Sequence, residues 1–232
     1  MGSVLAARKR SDVGKWFRDH GLLLANVGLF VVFFGAMVAS GLQVYNSHQV
    51  EHGQSAVSLA GYLMSGDFVE ATFENWESEF LQMGMYVVLT AHLFQRGSSE
   101  SKPIDGPAPQ DEDPRTVEDK EHVPWPVRRG GWVLAVYERS LSLLFFVLFF
   151  ASLALHAAGG AKAYSADELA HTGQPVTFWE YLGTSQFWFE SFQNWQSEFL
   201  AVAVIVGASV YLRHRGSAES KPVAEPHTHT GS

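Results

Sequence analysis

The residues best suited to chemistry belong to a motif that occurs twice, Asn-Trp-x-Ser-Glu-Phe-Leu, beginning at Asn75 and again at Asn194. On a helix, positions three, four and seven residues apart share a face, so the polar members of each motif lie together. Carboxylates inside a membrane bundle are suited to binding a cation or relaying a proton. The candidate intramembrane polar site therefore comprises Asn75, Ser78 and Glu79 from the first motif, and Asn194, Ser197 and Glu198 from the second.

A structural role is the main alternative for these residues. A glutamate in the first turn of a helix stabilises the helix dipole, and tryptophan is typical of the membrane interface. Asparagine, serine and glutamate also hydrogen-bond neighbouring helices within membranes. On the sequence alone we favour this structural interpretation.

Histidines provide a second group of candidates. His48-Gln-Val-Glu51-His52 fits a zinc-peptidase pattern, but the segment 119 residues later lacks the first histidine and the glutamate, so we interpret it as a chance match. His52 and His171 occupy equivalent positions and form a candidate extracytoplasmic pH-sensitive pair, with solvated loop histidines as the simpler interpretation. We predict no catalytic residues, no metal site and no cofactor.

Composition excludes several function classes. The 232 residues include no cysteine, which excludes disulfides, thiolate catalysis and cysteine-ligated zinc. A net charge of −8 argues against nucleic acid as a partner, because phosphate binding requires a basic surface. No glycine-rich phosphate loop is present.

The elements that must position these residues are membrane helices. Residues 21–47 contain no charged residue and no histidine, and residues 140–161 contain only His156. A helix of about 20 apolar residues crosses the hydrocarbon core. Two shorter apolar runs, 80–94 and 199–212, follow aromatic amphipathic stretches that extend them backwards to a crossing length. The predicted spans are 22–44, 76–95, 140–160 and 195–213.

Helix ends and orientation follow from the charges. Arg96-Gly97 and Arg215-Gly216 are typical of helix C-termini. With the N-terminus inside, every one of the 16 lysines and arginines except Lys162 lies on the cytoplasmic side. Both termini and the central linker are therefore predicted to be cytoplasmic. The first apolar run is longer than a signal core, which favours an uncleaved anchor.

The chain also repeats itself with a shift of 119 residues. Residues 73–81 and 192–200 share seven of nine identities, and residues 96–103 and 215–222 share seven of eight. We divide the chain into repeat 1 (1–104), an acidic proline-rich disordered linker (105–126) and repeat 2 (127–232), whose His-Thr-His-Thr tail is also expected to be disordered.

The predicted fold is thus an all-α membrane protein of four transmembrane helices, arranged as two tandem two-helix repeats in parallel orientation. Amphipathic aromatic segments at 59–69 and 178–189 predict short interfacial helices in the outside loops.

Several motifs together resemble a known family. They are Tyr45-Asn46 with Glu51-His52-Gly53, the two Asn-Trp-x-Ser-Glu-Phe-Leu motifs, the run 124–131 (PWPVRRGG) and the doubled Glu-Ser-Lys endings. The chain resembles an uncharacterised family of bacterial multi-pass membrane proteins, a domain of unknown function. The resemblance implies a bacterial inner-membrane location and transfers no functional residues.

Three functions remain open. The leading hypothesis is a non-enzymatic structural or interaction role in the envelope, with the lipid bilayer and either copies of itself or other membrane proteins as partners. The second is a small cation or proton transporter or channel that uses Glu79 and Glu198. The third is an extracytoplasmic sensor of pH or metal.

Overall fold

The computed structural model describes residues 14–119, 121–171 and 174–231, without the side chains of residues 167, 168, 170 and 171. Within these ranges the chain is helical and contains no β-strand, which confirms the all-α class. It divides into two units, Met1–Phe68 and Val69–Ser232, which are described separately.

The first unit is dominated by helix α1 (Gly21–Glu51), which is long and apolar enough to cross a membrane. Its apolar window has no buried residue, and large side chains such as Leu22 (82 % exposed) and Phe33 (67 % exposed) face outward. A water-soluble surface rarely exposes apolar area on this scale, whereas a lipid-facing helix does. The first predicted span is therefore present as a candidate membrane helix.

A short helix, α2 (Leu59–Leu63), folds back against the end of α1. The Asn46 side chain donates to the Val57 carbonyl (3.2 Å) and accepts from the Val57 amide (2.7 Å). Ser58 caps α2 by accepting from the Gly61 amide (3.3 Å). The Tyr62 ring lies against α1 at Gly41, where a Cβ would overlap the phenol.

The second unit is built on three long helices: α3 (Gly66–His92, whose first three residues belong to the first unit), α6 (Ser140–His171) and α8 (Ser185–Ala208). In α6, residues Ser140–Ala166 are also long and apolar enough to cross a membrane. The short helices are α4 (Trp125–Arg129), α5 (Gly131–Tyr137) and α7 (Phe178–Leu182).

Small and aromatic residues join the three long helices. A Cβ placed on Gly84 of α3 would lie 3.2 Å from the Cβ of Phe145 in α6, so glycine permits close contact there. Phe149 of α6 meets Trp195 of α8 edge to face, with ring centroids 6.0 Å apart. The three helices therefore share one seam.

Against predicted spans of about 76–95 and 195–213, the structure ends α3 at His92 and α8 at Ala208. Beyond each helix, a serine hydroxyl accepts from a backbone amide: Ser101 from Gln95 (3.0 Å) and Ser220 from His214 (2.9 Å). These amides are thereby diverted from helical hydrogen bonds. Gly97 and Gly216 occupy the turns that follow, with φ of 84° and 89°.

The linker and the tail contain local structure. Two 3-10 turns, Pro109–Asp111 and Pro114–Thr116, lie in the linker, and Lys102 pairs with Asp111 at 2.6 Å. The expectation of a disordered tail was wrong. Lys221 is buried and donates to the carbonyls of Pro226 (3.2 Å), His227 (3.2 Å) and His229 (2.8 Å), which folds the tail around one ammonium group.

Candidate cation site

A row of polar side chains follows α3 along most of its length. Every fourth residue from position 70 to position 90 is polar, and each of them is at least partly buried. Residues four apart form one inclined ridge on a helix, so the side chains lie one above another. At 1.5 Å per residue these 20 steps cover about 30 Å, which equals the thickness of a bilayer core. The members of this polar row are Glu70, Glu74, Ser78, Gln82, Tyr86 and Thr90.

The imidazole of His156, in the apolar helix α6, lies beside the beginning of the polar row. Its Nδ1 is 3.1 Å from Oε2 of Glu77 on α3, and its Nε2 is 3.4 Å from Oε2 of Glu190 on α8. The side chains of His156 and Glu77 are completely buried. One imidazole thus connects all three long helices.

Tyr181 of α7 also belongs to the cluster, and the short helix that carries it is fixed by local contacts. Its helix starts with a capping box, in which Thr177 Oγ1 accepts from the Glu180 amide (3.3 Å) and Glu180 accepts from the Thr177 amide (2.8 Å). The Ser165 hydroxyl of α6 bonds both the amide and the carbonyl of Val176 at 2.8 Å. These contacts hold α7 against α6.

A glycine in α6 makes room for the tyrosine ring. A Cβ on Gly160 would lie 2.5 Å from the Tyr181 hydroxyl, so only glycine permits this approach. The ring packs edge to face on Phe187, which in turn lies 4.8 Å from the His156 ring, centroid to centroid. Tyr181, Phe187 and His156 each have 0 % exposure, so solvent is excluded from their rings.

The phenol of Tyr181 contacts two carboxylates at once. Its oxygen is 2.8 Å from Oε1 of Glu70 and 2.7 Å from Oε2 of Glu190. Burial, together with the two carboxylates, raises the pKa of Tyr181 well above its ordinary value, so the phenol keeps its proton. A phenol has one proton to donate, and the second short oxygen–oxygen contact therefore requires another cation or proton.

Neutral donors also contact the carboxylates of the cluster. Asn194 Nδ2 donates to Glu74 Oε1 (2.6 Å), and Trp195 Nε1 donates to Glu77 Oε1 (3.2 Å). Four carboxylates, those of Glu70, Glu74, Glu77 and Glu190, surround a single imidazole. Buried negative charges are costly unless they are paired, so this arrangement is suited to a bound cation.

The cluster approaches solvent through Glu190, whose side chain is 17 % exposed. The exposed Gln186 amide donates to the other oxygen of Glu190 at 2.5 Å.

The opposite end of the polar row meets the loops that follow α3 and α8. The Tyr86 hydroxyl donates to Glu100 Oε2 at 2.6 Å. Two cavities, of about 550 and 330 Å³, both have Tyr86, Thr90 and Glu100 in their walls. Between the two ends, Gln82 Nε2 donates to the Glu198 carbonyl at 3.5 Å.

The sequence-predicted polar site is partly separate from this cluster. Asn75 and Glu79 are exposed, and so is Ser197. Ser78 is buried but donates locally to the Asn75 carbonyl at 2.7 Å. The remaining two predicted residues lie at the seam: Asn194 joins the cluster through Glu74, and the partly buried Glu198 is close enough to Glu79 for electrostatic interaction.

The predicted histidine pair is not tested. His52 is exposed at the end of α1, where its Nδ1 lies 2.8 Å from the His48 carbonyl oxygen. His171 is the last residue of α6, and its side chain lies outside the described part of the chain.

Comparison with known proteins gives one result for the chain as a whole. A family model described as "Domain of unknown function (DUF6766)" matches residues 13–232. The chain belongs to the DUF6766 family. No curated protein and no solved structure matches it. Membership of DUF6766 therefore carries no activity, and the functional argument rests on the residues themselves.

Sequence reasoning on this DUF6766 chain missed the central residue, although a signal was present. His156 is the sole titratable residue of the apolar run 140–161, and the polar spacing of four along α3 is legible in the sequence. His156 does not recur after 119 positions, whereas the candidate site was predicted from residues that do. The residues aligned with His156, Glu77 and Glu190 at that shift are Met37, Gln196 and Ala71.

Proposed function

We propose that this protein is a small integral-membrane cation transporter, with the His156 cluster as its outer binding site and the polar row of α3 as its path. One observation carries the proposal: a row of partly buried polar side chains about 30 Å long begins at a carboxylate-rich cluster. Ionisable groups within membrane helices typically mark ion pathways, because placing a charge in the hydrocarbon core costs free energy.

The proposal includes four spans in a bacterial inner membrane, with both termini and the linker in the cytoplasm. Besides α1 and α6, helix α3 has 27 residues and α8 has 24, which suffice to cross the core. Their carboxylates reduce mean hydropathy, but Glu77 and Glu74 bond partners on neighbouring helices instead of facing lipid. The charge distribution supports the orientation.

The tandem repeat forms part of the same proposal, and local geometry supports it. In the first copy Tyr62 packs on Gly41 and Ser58 caps the short helix, while in the second Tyr181 packs on Gly160 and Thr177 caps it. The polar row departs from the repeat: the residues aligned with Glu70, Gln82 and Tyr86 are Phe189, Ala201 and Ile205. We infer that both copies keep the same backbone scaffold. The polar groups that would handle an ion are specific to the seam between α3, α6 and α8.

Flux through purified protein tests the proposal. Proteoliposomes containing the full chain are loaded with indicators for H⁺, Na⁺, K⁺, Ca²⁺, Mg²⁺, Mn²⁺ and Zn²⁺ in turn. We expect protein-dependent flux of at least one cation, reduced at least tenfold by Gln82→Leu, which removes a polar group from the middle of the row. Gln196→Leu makes the same chemical change at an exposed position of α8 and should leave the flux unchanged.

Two results would overturn the transporter. One is the absence of flux for every cation by protein that is folded and monodisperse. The other is equal flux from the Gln82→Leu and Gln196→Leu proteins. Glu79→Gln and Glu198→Gln belong in the same series, since the prediction that these carboxylates line the path stays untested.

A further inference from the structure

We propose that the cluster is a binding site for a divalent first-row transition metal, with Zn²⁺ as its best-fitting ion, held by Nε2 of His156 and the carboxylates of Glu70 and Glu190. The role of this site as an outer uptake site rests on the proposed function, whereas metal binding can be tested by itself.

The three candidate ligand residues lie close together without a metal ion. One ligand atom from each of the three residues lies within 4.8 Å of the other two. Ligands in a tetrahedron with metal bonds of about 2.0–2.2 Å are about 3.3–3.6 Å apart. His156 Nε2 and Glu190 Oε2 are 3.4 Å apart, so this pair has the required spacing before any metal binds.

A second contact points to a metal ligand. Histidines that bind metals almost always donate the other ring N–H to a carboxylate, which fixes the tautomer and makes the ligating nitrogen more basic. Glu77 occupies that position, with Oε2 3.1 Å from His156 Nδ1, and its own Oε1 accepts from Trp195 Nε1 at 3.2 Å. With Nδ1 carrying the proton, Nε2 presents its lone pair to the Glu190 carboxylate 3.4 Å away, a repulsive contact that a metal ion would turn into coordination.

The donor types select the metal class. An imidazole with carboxylates suits borderline divalent ions, and Mg²⁺ and Ca²⁺ prefer oxygen ligands alone. The chain has no cysteine, so the soft thiolate sites that select Cu⁺ are absent. Three protein ligands would leave a coordination position for water. The Tyr181 phenol, 2.7 Å from Glu190 Oε2, would orient that carboxylate.

The buried surroundings support a tight site. His156 is 0 % exposed, and Glu77 is 0 % exposed. Burial of this kind strengthens the attraction between a bound cation and its carboxylate ligands, because the surroundings have a low dielectric constant.

The experiment uses the full chain, stripped with a chelator, in lipid nanodiscs. Zn²⁺ is titrated against a competing chromophoric chelator, and Co²⁺ is used as a spectroscopic probe. We expect one Zn²⁺ per chain and an intense Co²⁺ d–d absorption typical of four-coordination. His156→Gln and Glu190→Gln should each weaken Zn²⁺ binding at least a hundredfold, and Glu77→Gln should weaken it about 10–100-fold, as loss of an outer-shell partner does.

His92→Gln, at an exposed histidine at the end of α3, and Glu112→Gln, at an exposed glutamate of the linker, are the matched controls and should bind Zn²⁺ as the unaltered chain does. A Co²⁺ spectrum no different from that of the free ion in nanodisc buffer, or equal Zn²⁺ affinity of the unaltered and His156→Gln chains, would overturn the metal site. The Co²⁺ spectrum of the unaltered chain decides even if a variant fails to fold. Flux of Na⁺ or K⁺ without Zn²⁺ binding would refute the metal site alone, and Zn²⁺ binding without any flux would refute the transporter alone.

Discussion

His156 and Glu77 are 79 positions apart in sequence, yet Nδ1 of the imidazole lies 3.1 Å from Oε2 of the carboxylate, with both side chains fully buried. Because neither group contacts solvent, both depend on partners within the protein, and this contact satisfies one polar atom of each. This contact joins α3 to α6, and the experiments below probe it and its surroundings.

Removal of the imidazole should destabilise the protein. His156→Leu leaves Glu77 buried without its ring partner, and breaking such a pair costs about 3–5 kcal/mol. We expect a clear fall in the free energy of unfolding, measured by denaturant titration in detergent micelles. His92→Leu, at an exposed position, should change it by less than about 0.5 kcal/mol. Equal stability of the two variants would show that the buried contact contributes little.

A methyl group on Gly160 should disturb the cluster through Tyr181. In Gly160→Ala the new Cβ would lie 2.5 Å from the phenol oxygen, and overpacking of this kind costs about 1–3 kcal/mol. Gly207 in α8 has no neighbouring atom within 4 Å, so Gly207→Ala should be neutral or stabilise by up to about 1 kcal/mol. Thermal unfolding of both variants measures the difference, and a Gly160→Ala protein as stable as Gly207→Ala would contradict the close approach.

The loops that follow α3 and α8 should depend on pH. The nearby Glu100 carboxyl, together with burial and a hydrogen bond from one group to the other, raises the pKa of Glu219 above its ordinary value. Because the pKa of Glu219 is higher in the folded than in the unfolded state, its protonated form stabilises the fold. This contribution to stability is complete below the unfolded pKa of about 4.3 and is lost as pH rises through the folded pKa.

We therefore expect amide protection factors in residues 98–101 and 217–220 to fall as pH rises from 4 to 7. Glu219→Gln should remove most of this pH dependence, because it leaves one ionisable carboxyl. Glu112→Gln, an exposed glutamate in the linker, should retain it. If the Glu219→Gln profile had the slope of the unaltered chain, the two carboxyls would not be coupled.

Single cysteines should report the topology, since the chain contains none of its own. With four spans, a membrane-impermeant maleimide should label Gln54→Cys and Gln174→Cys in intact spheroplasts, because both positions are exposed in the outside loops. Glu112→Cys and Ala218→Cys should react only after permeabilisation. Labelling of one outside position together with one inside position in intact cells would exclude the arrangement.

The sequence was most informative about individual helices. The runs at 22–44 and 140–160 were recognised as membrane-length because hydropathy is a property of neighbouring residues, and α1 and α6 contain them. Backward extension of the two shorter runs was also foreseen, and α3 and α8 begin at Gly66 and Ser185. Beyond the C-terminal ends of α3 and α8, Ser101 and Ser220 bond amides six residues earlier, a contact that no local helix signal encodes.

The site was harder to predict than the helices. Pairing of the two motifs directed attention to Glu79 and Glu198, on the assumption that equivalent residues share a role. In the folded chain Glu79 is exposed, while the unpaired His156 is enclosed. Residues that correspond after the shift of 119 can share backbone geometry, as Gly41 and Gly160 do, but the side chains facing a seam depend on which helix each segment meets.

Local composition was thus sufficient for the helices, for the absence of thiol chemistry and for the charge pattern from which the orientation is predicted, because each depends on residues close together along the polypeptide. The meeting of His156 with Glu77 and Glu190 required the packed helices, since the rotation and depth of one helix against another come from side chains that are 79 and 34 positions apart. Hydropathy constrains neither variable. The buried imidazole is a candidate metal ligand only because the packing of α3, α6 and α8 places carboxylates beside both of its nitrogens.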